Sequence, residues 1–269
     1  MPIAALPAML AIGSGGIIGL VLGLVGGGGS ILAVPLLVYL VGVSSPHVAI
    51  GTAAIAVALN AVVSLGAHAR RGRVKWRCAG VFAAAGMAGS LLGAELGKAV
   101  DGQRLLTLFG LMMIPVGLSM LRPATGSAND SVRLTSESAG HLLPRLIGMG
   151  LGVGTLAGFF GIGGGFLIVP GLMLATGMAL PSAIGTSLVA VAAFGLATAG
   201  SYAISGFVDW GLVLLVVAGG VIGSIAGARL TSVLATRRHV LSQVFSAGVL
   251  TVGIMIVVRG LAELIGTSG

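Results

Sequence analysis

Two short glycine runs are the residues best suited to chemistry in this sequence. Gly26-Gly27-Gly28-Gly29-Ser30 follows one apolar stretch, and Gly161-Ile162-Gly163-Gly164-Gly165 follows another. Pro35 and Pro170 stand a few residues beyond them. Glycine lets backbone N–H groups come close to a ligand. A helix N-terminus adds free N–H groups and the positive end of the helix dipole, which together suit an anion. The segment Ser30–Val43 would be about 21 Å long if helical, short of the roughly 30 Å hydrocarbon core of a bilayer. Proline prefers the first helical turn. The expectation is unwound backbone over Gly26–Val34 and Gly161–Val169, each leading into a half-helix and lining a buried or wet site. The stripe Gly15, Gly19, Gly23, Gly27 also fits close helix packing with no ligand at all.

Secondary candidates are Gly51-Thr52 and Gly185-Thr186-Ser187, each a few residues after a proline and near the start of an apolar span. Their hydroxyls can donate to an anion, or bond back to a helix carbonyl. Asn60 lies deeper in the first of these spans, where an amide needs a partner; a helix–helix hydrogen bond is one role and a ligand the other. The candidate substrate-binding set is therefore Gly26, Gly27, Gly28, Gly29, Ser30, Gly51, Thr52, Asn60, Gly161, Gly163, Gly164, Gly165, Gly185, Thr186 and Ser187.

Other chemistries lack their residues. His47, His68, His141 and His239 have no metal-ligand spacing, and Cys78 is the single cysteine, so neither a metal site nor a disulfide is expected. The glycine run at 161–165 has no βαβ context for a dinucleotide, and no Gly-Lys-Ser/Thr phosphate loop occurs, so no cofactor is expected. An intramembrane enzyme would need a buried acid, histidine or nucleophile cluster, and the spans carry none. No Asp, Glu, Lys or Arg sits near the middle of a span. That argues against a carboxylate proton relay and for neutral donors at the site.

The elements that must position these residues are membrane helices. Hydrophobic residues make up 57% of the chain, charged residues 7%, and the mean hydropathy is +1.15. Soluble domains carry roughly 25% charged residues, so this chain cannot cover a water-facing surface. The net charge of +8 sits at span ends, marking membrane anchors rather than a nucleic-acid surface. No basic residue precedes the first apolar run, which is therefore expected to remain as a membrane segment rather than a signal peptide. The apolar stretches are Ala8–Val25, Ser30–Val43, Pro46–Ala69, Val74–Gly97 and Leu105–Leu121, then Pro144–Phe160, Phe166–Gly177, Pro181–Ser205, Trp210–Leu234 and Val240–Val258. Arg122–His141 is the one long polar linker.

The second series repeats the first. A shift of 135 places Gly15, Gly19, Gly23 and Gly26 on Gly150, Gly154, Gly158 and Gly161, and Pro35 on Pro170. With one residue dropped, Gly51-Thr52 falls on Gly185-Thr186 and Trp76 on Trp210. The loop 70–77 is dense in Arg and Lys, hence cytoplasmic, whereas its repeat partner 206–209 carries one acid and no cation. The fold expected is an all-α polytopic membrane protein of two inverted repeats, each a glycine-broken helix pair plus three transmembrane helices. The units are 1–121, a polar cytoplasmic linker 122–143, and 144–269, with both termini outside. Inverted repeats place a transport site between the halves, at the membrane midplane.

These features together resemble the sulfite exporter TauE/SafE family, the transmembrane sulfur-anion permeases. The residues that carry the resemblance are Gly23-Leu24-Val25-Gly26-Gly27-Gly28-Gly29-Ser30 with Pro35 and Gly51-Thr52. In the second half they are Gly158-Phe159-Phe160-Gly161-Ile162-Gly163-Gly164-Gly165 with Pro170 and Gly185-Thr186-Ser187. The resemblance implies the plasma membrane of a prokaryote and movement of sulfite, sulfoacetate, other organosulfonates or thiosulfate. It does not select among them. An anion channel of the same architecture, or an uptake permease for another small anion, is the alternative. Export of an anion from a negative interior is favoured by about 2.3 kcal/mol per charge per 100 mV, so a facilitator would suffice.

Overall fold

The computed structural model describes residues 5–121, 136–161, 163, 165–233 and 238–266. The described chain is helical. Helix α1, Ala5–Val25, runs into the first glycine segment. There Gly26–Leu32 winds as a 3-10 helix, Ala33–Pro35 makes one α turn (α2), and Leu36–Val41 is a π segment. Gly42 ends it in the left-handed region at φ 84°. Helices α3 (Pro46–Arg70), α4 (Trp76–Ala99) and α5 (Gly102–Leu121) complete the first half. The second half contains α6 (Ser136–Phe160), α7 (Gly165–Thr176), α8 (Leu180–Ile204), α9 (Trp210–Val233) and α10 (Arg238–Gly266).

Local sequence explains the boundaries. Ser45 accepts the Val48 N–H and Pro46 opens α3, where its missing N–H costs nothing. Asp101 caps α5 by accepting the N–H groups of Gln103 and Arg104 at 3.1 and 3.2 Å. Six described helices are long and apolar enough to cross a membrane: α1, α3, α4, α6, α8 and α9. Shorter apolar helical stretches run over Gly102–Leu118 and Ser246–Ala262, within α5 and α10.

Three local expectations change. The first glycine run is not unwound but drawn into a tight 3-10 helix. In the second half the turn is brief: α7 already begins at Gly165, with Pro170 inside it rather than at its start. The polar residues Ser136–His141 also belong to α6, so that helix starts before Pro144.

The two halves are joined by exchanged contacts. Helix α1 packs on α9 and α6 packs on α4. A methyl group on Gly15, Gly19 or Gly23 would collide with the backbone of Val216, Gly220 or Ser224. At the repeat-related positions, a methyl on Gly150, Gly154 or Gly158 would meet the backbone of Phe82, Gly86 or Ser90. The glycine stripes are thus packing seams, with backbones in direct contact. Two further pairs join equivalent helices, α3 with α8 and α5 with α10, and α3 and α8 also pack on α9 and α4. Both pairs are antiparallel: Gly51 lies near Tyr202 while Ala58 lies near Gly195, and Gly110 lies near Ile256 while Gly117 lies near Leu250.

Candidate functional site: the paired glycine turns and Asn60

The glycine turns meet each other. The Gly165 N–H, first in α7, donates to Ser30 Oγ at 3.2 Å, and both residues are buried. Ser30 therefore caps the half-helix of the opposite half, a role normally filled by a residue just ahead in sequence. Gly161 and Gly163 have φ of 66° and 62°, left-handed values that favour glycine. A methyl on Gly161 would strike Ile50 of α3. Gly163 lies between Val57 of α3 and Val191 and Gly195 of α8. The turn is thus wedged at the crossing of α3 and α8. Gly29 sits on the α1 backbone at Val21 and Leu22. Gly26, Gly27 and Gly28 belong to the 3-10 helix, and Gly164 lies outside the described residues.

The hydroxyl candidates are held elsewhere. Thr52 Oγ1 accepts the Asp209 N–H at 3.1 Å, and Thr186 Oγ1 accepts the Lys75 N–H at 3.0 Å. Each threonine pins the loop of the other half, at opposite ends of the antiparallel α3–α8 pair. Gly51 and Gly185 are small for the same reason: a side chain would run into Phe207 or Arg73 of those loops. Ser187 Oγ donates back to the Ile184 carbonyl at 2.8 Å. These five residues do not join the glycine turns in one cluster.

Asn60 is the exception. It is fully buried, and neither its Nδ2 nor its Oδ1 has a hydrogen-bond partner, so the helix–helix bond is not made. A buried amide without partners costs roughly 1–3 kcal/mol or more. Its side chain fills the space beside Gly220. The repeat-related residue, Phe194, fills the matching space beside Gly86 and stacks on Phe82 at 6.0 Å. One niche is thus closed by an apolar ring, and its counterpart by an amide with open donors and acceptors. Ser64 follows one turn along the same face of α3, also buried and with its Oγ unpartnered. The spacing Asn60, Ser64 (i, i+4) carries a signal for this polar face that the sequence reading passed over.

The six described helices long and apolar enough to cross a membrane define a multi-pass membrane protein. The sulfite exporter TauE/SafE family model matches residues 11–256. A probable membrane transporter protein of Xylella fastidiosa (strain Temecula1) is 46% identical over 257 residues, covering 96% of this chain and 97% of the relative. The probable membrane transporter protein YunE of Bacillus subtilis (strain 168) is 29% identical over 246 residues, covering 84% and 90%. A third relative, from Methanocaldococcus jannaschii, is 27% identical over 63% of the chain and 62% of its own length. No solved structure matches. The chain belongs to the sulfite exporter TauE/SafE family.

Proposed function

We propose that this protein moves small sulfur oxyanions, such as sulfite, sulfoacetate or another organosulfonate, across the membrane, and that the anion binds between the two halves, at Asn60 of α3 and the glycine turns. The observation that carries this reading is Asn60, an unpartnered amide buried mid-span where the repeat-related position holds an apolar ring. A pyramidal or tetrahedral oxyanion has several acceptor oxygens. An amide N–H₂ and backbone N–H groups at half-helix N-termini hold such oxygens without a full counter-charge, so release stays fast.

The halves sit inverted in the membrane in this reading, which the antiparallel equivalent helices support. Thr52 and Thr186 then hold the external and cytoplasmic loops against the helices, fixing the frame around the site. A thermal-shift screen of purified protein against sulfite, sulfoacetate, thiosulfate, sulfate and acetate tests the substrate class. Saturable stabilisation by sulfur oxyanions and none by acetate is expected. Equal response to every anion would contradict it.

A further inference from the structure

We propose that His68 is the proton-binding residue of this transporter, taking up a proton together with the transported anion and returning it when the anion leaves. The inference rests on the anion site proposed above at Asn60 and adds a co-transported ion to it.

His68 continues the polar face of α3. Asn60, Ser64 and His68 follow one another four residues apart, so they share one side of the helix. All three are buried, and each has side-chain polar atoms without a hydrogen-bond partner. This polar line follows the seam between α1 and α9. Asn60 lies beside Gly220, whose backbone packs on Gly19. One turn further along α1, the Gly23 carbonyl faces the His68 imidazole, yet neither Nδ1 nor Nε2 completes a hydrogen bond. An ionisable side chain buried in a span is costly and marks function. Imidazole is the side chain whose ordinary titration range spans neutral pH. Its unprotonated nitrogen offers a lone pair to a proton, and the charged ring then donates from both nitrogens.

The charges around His68 decide what must accompany that proton. The N–H groups of Arg71 and Arg73 donate to the His68 carbonyl at 3.2 and 3.3 Å, and both side chains bring positive charge to the ring. Among the elements packed on α3, α9 carries Arg229, and α5 carries Arg104 near the opposite end of α3, where Gly102 meets Pro46. Helix α8 carries only Tyr202, the π segment only Tyr39, and α1, Gly26–Leu32 and α2 carry no titratable side chain. None of these elements contains an acid. The imidazolium therefore has no counter-charge from them, and the transported anion supplies it. Asn60 and His68 are about 12 Å apart along the helix axis. At an effective dielectric of about 20, opposite unit charges at that distance strengthen each other's binding about tenfold. By linkage, the anion favours the proton as much as the proton favours the anion. The proton passes from water to a ring-nitrogen lone pair and back to water, and no bond to the anion forms.

The positions related by the repeat to Asn60, Ser64 and His68 are Phe194, Thr198 and Tyr202. Tyr202 packs with Phe207 and His47, at 6.2 and 6.3 Å between ring centres, and a phenol holds its proton throughout the neutral range. His47, at the other end of α3 and only partly buried, is the natural control.

The test uses full-length protein in liposomes, with the membrane potential clamped by potassium and valinomycin and a pH dye inside. The probes are sulfoacetate and methanesulfonate, whose acid groups stay ionised between about pH 6 and pH 8, so that a proton that moves with them is carried by the protein. An anion gradient should drive protons in the same direction. With equal pH on both sides, flux should rise severalfold as the pH falls from about 8 to 6. His68→Gln, which keeps an amide to face Gly23, should lose the proton movement and the pH dependence without a lower melting temperature; His47→Gln should keep both. Anion flux without proton movement in native protein would overturn the proposal. So would proton movement that persists in His68→Gln or disappears in His47→Gln. Flux of neither anion in native protein would overturn the organosulfonate reading, and this inference with it.

Discussion

At the scale of single residues, one repeat-related pair is polar in the first half and aromatic in the second. Asn60 and Phe194 occupy matching niches, and only Asn60 leaves polar atoms without partners. If that amide is kept for a ligand, replacing it should help the fold and harm transport. Asn60→Leu, of similar shape and apolar, is expected to hold or raise the melting temperature, because an unpaired buried amide is removed. Sulfite flux in the same variant should fall by about tenfold or more, the loss of at least one hydrogen bond to a charged ligand. A lower melting temperature with unchanged flux would mean that Asn60 serves packing. Glu95 gives the complementary case. It joins Lys98 and Ser201 at a span end, and Gln can keep an acceptor for both. Glu95→Gln is expected to retain most flux in proteoliposomes, as a transporter without a carboxylate relay should. Asn60 was legible in the sequence as a polar residue in a span. Its lack of a partner was not, because that depends on α9 and Gly220, 160 positions away.

At the scale of elements, the glycine stripes were readable from spacing alone, since small residues every fourth position must lie on one helix face. The seam makes a contrast that melting temperature can measure. Gly19→Ala and Gly154→Ala place methyl groups against the backbones of Gly220 and Gly86 and are expected to destabilise by more than 1 kcal/mol, about the scale of core overpacking. Gly80 faces open space, and Gly80→Ala is expected to be neutral or stabilising. Equal losses at all three positions would show that the stripe is not the interface. The glycine runs were less readable. The preference of proline for a first turn suggested long unwound segments, yet Pro170 lies inside α7 and Ser30 caps Gly165 from the other half. The contacts of Thr52 and Thr186 were equally hidden. Their partners lie 157 and 111 positions away, and spacing carries no trace of them.

At the scale of the whole molecule, the charge of two loops suggests inversion, a proposal that labelling from one side of the membrane tests. Cys78 is buried, so single cysteines introduced in the loops can be read against a quiet background. A membrane-impermeant thiol reagent applied to intact cells should label Asp209→Cys and spare Arg70→Cys; equal labelling would remove the inverted arrangement. The central claim, that this protein carries a sulfur oxyanion through the crossing of its two halves, is tested most directly by flux. Purified protein in liposomes should release trapped radiolabelled sulfite saturably, and sulfoacetate should compete. The Asn60→Leu variant, reconstituted to the same level, should lose that release. Saturable sulfite release that persists unchanged in the variant, or no release of any sulfur oxyanion by native protein, would contradict the account.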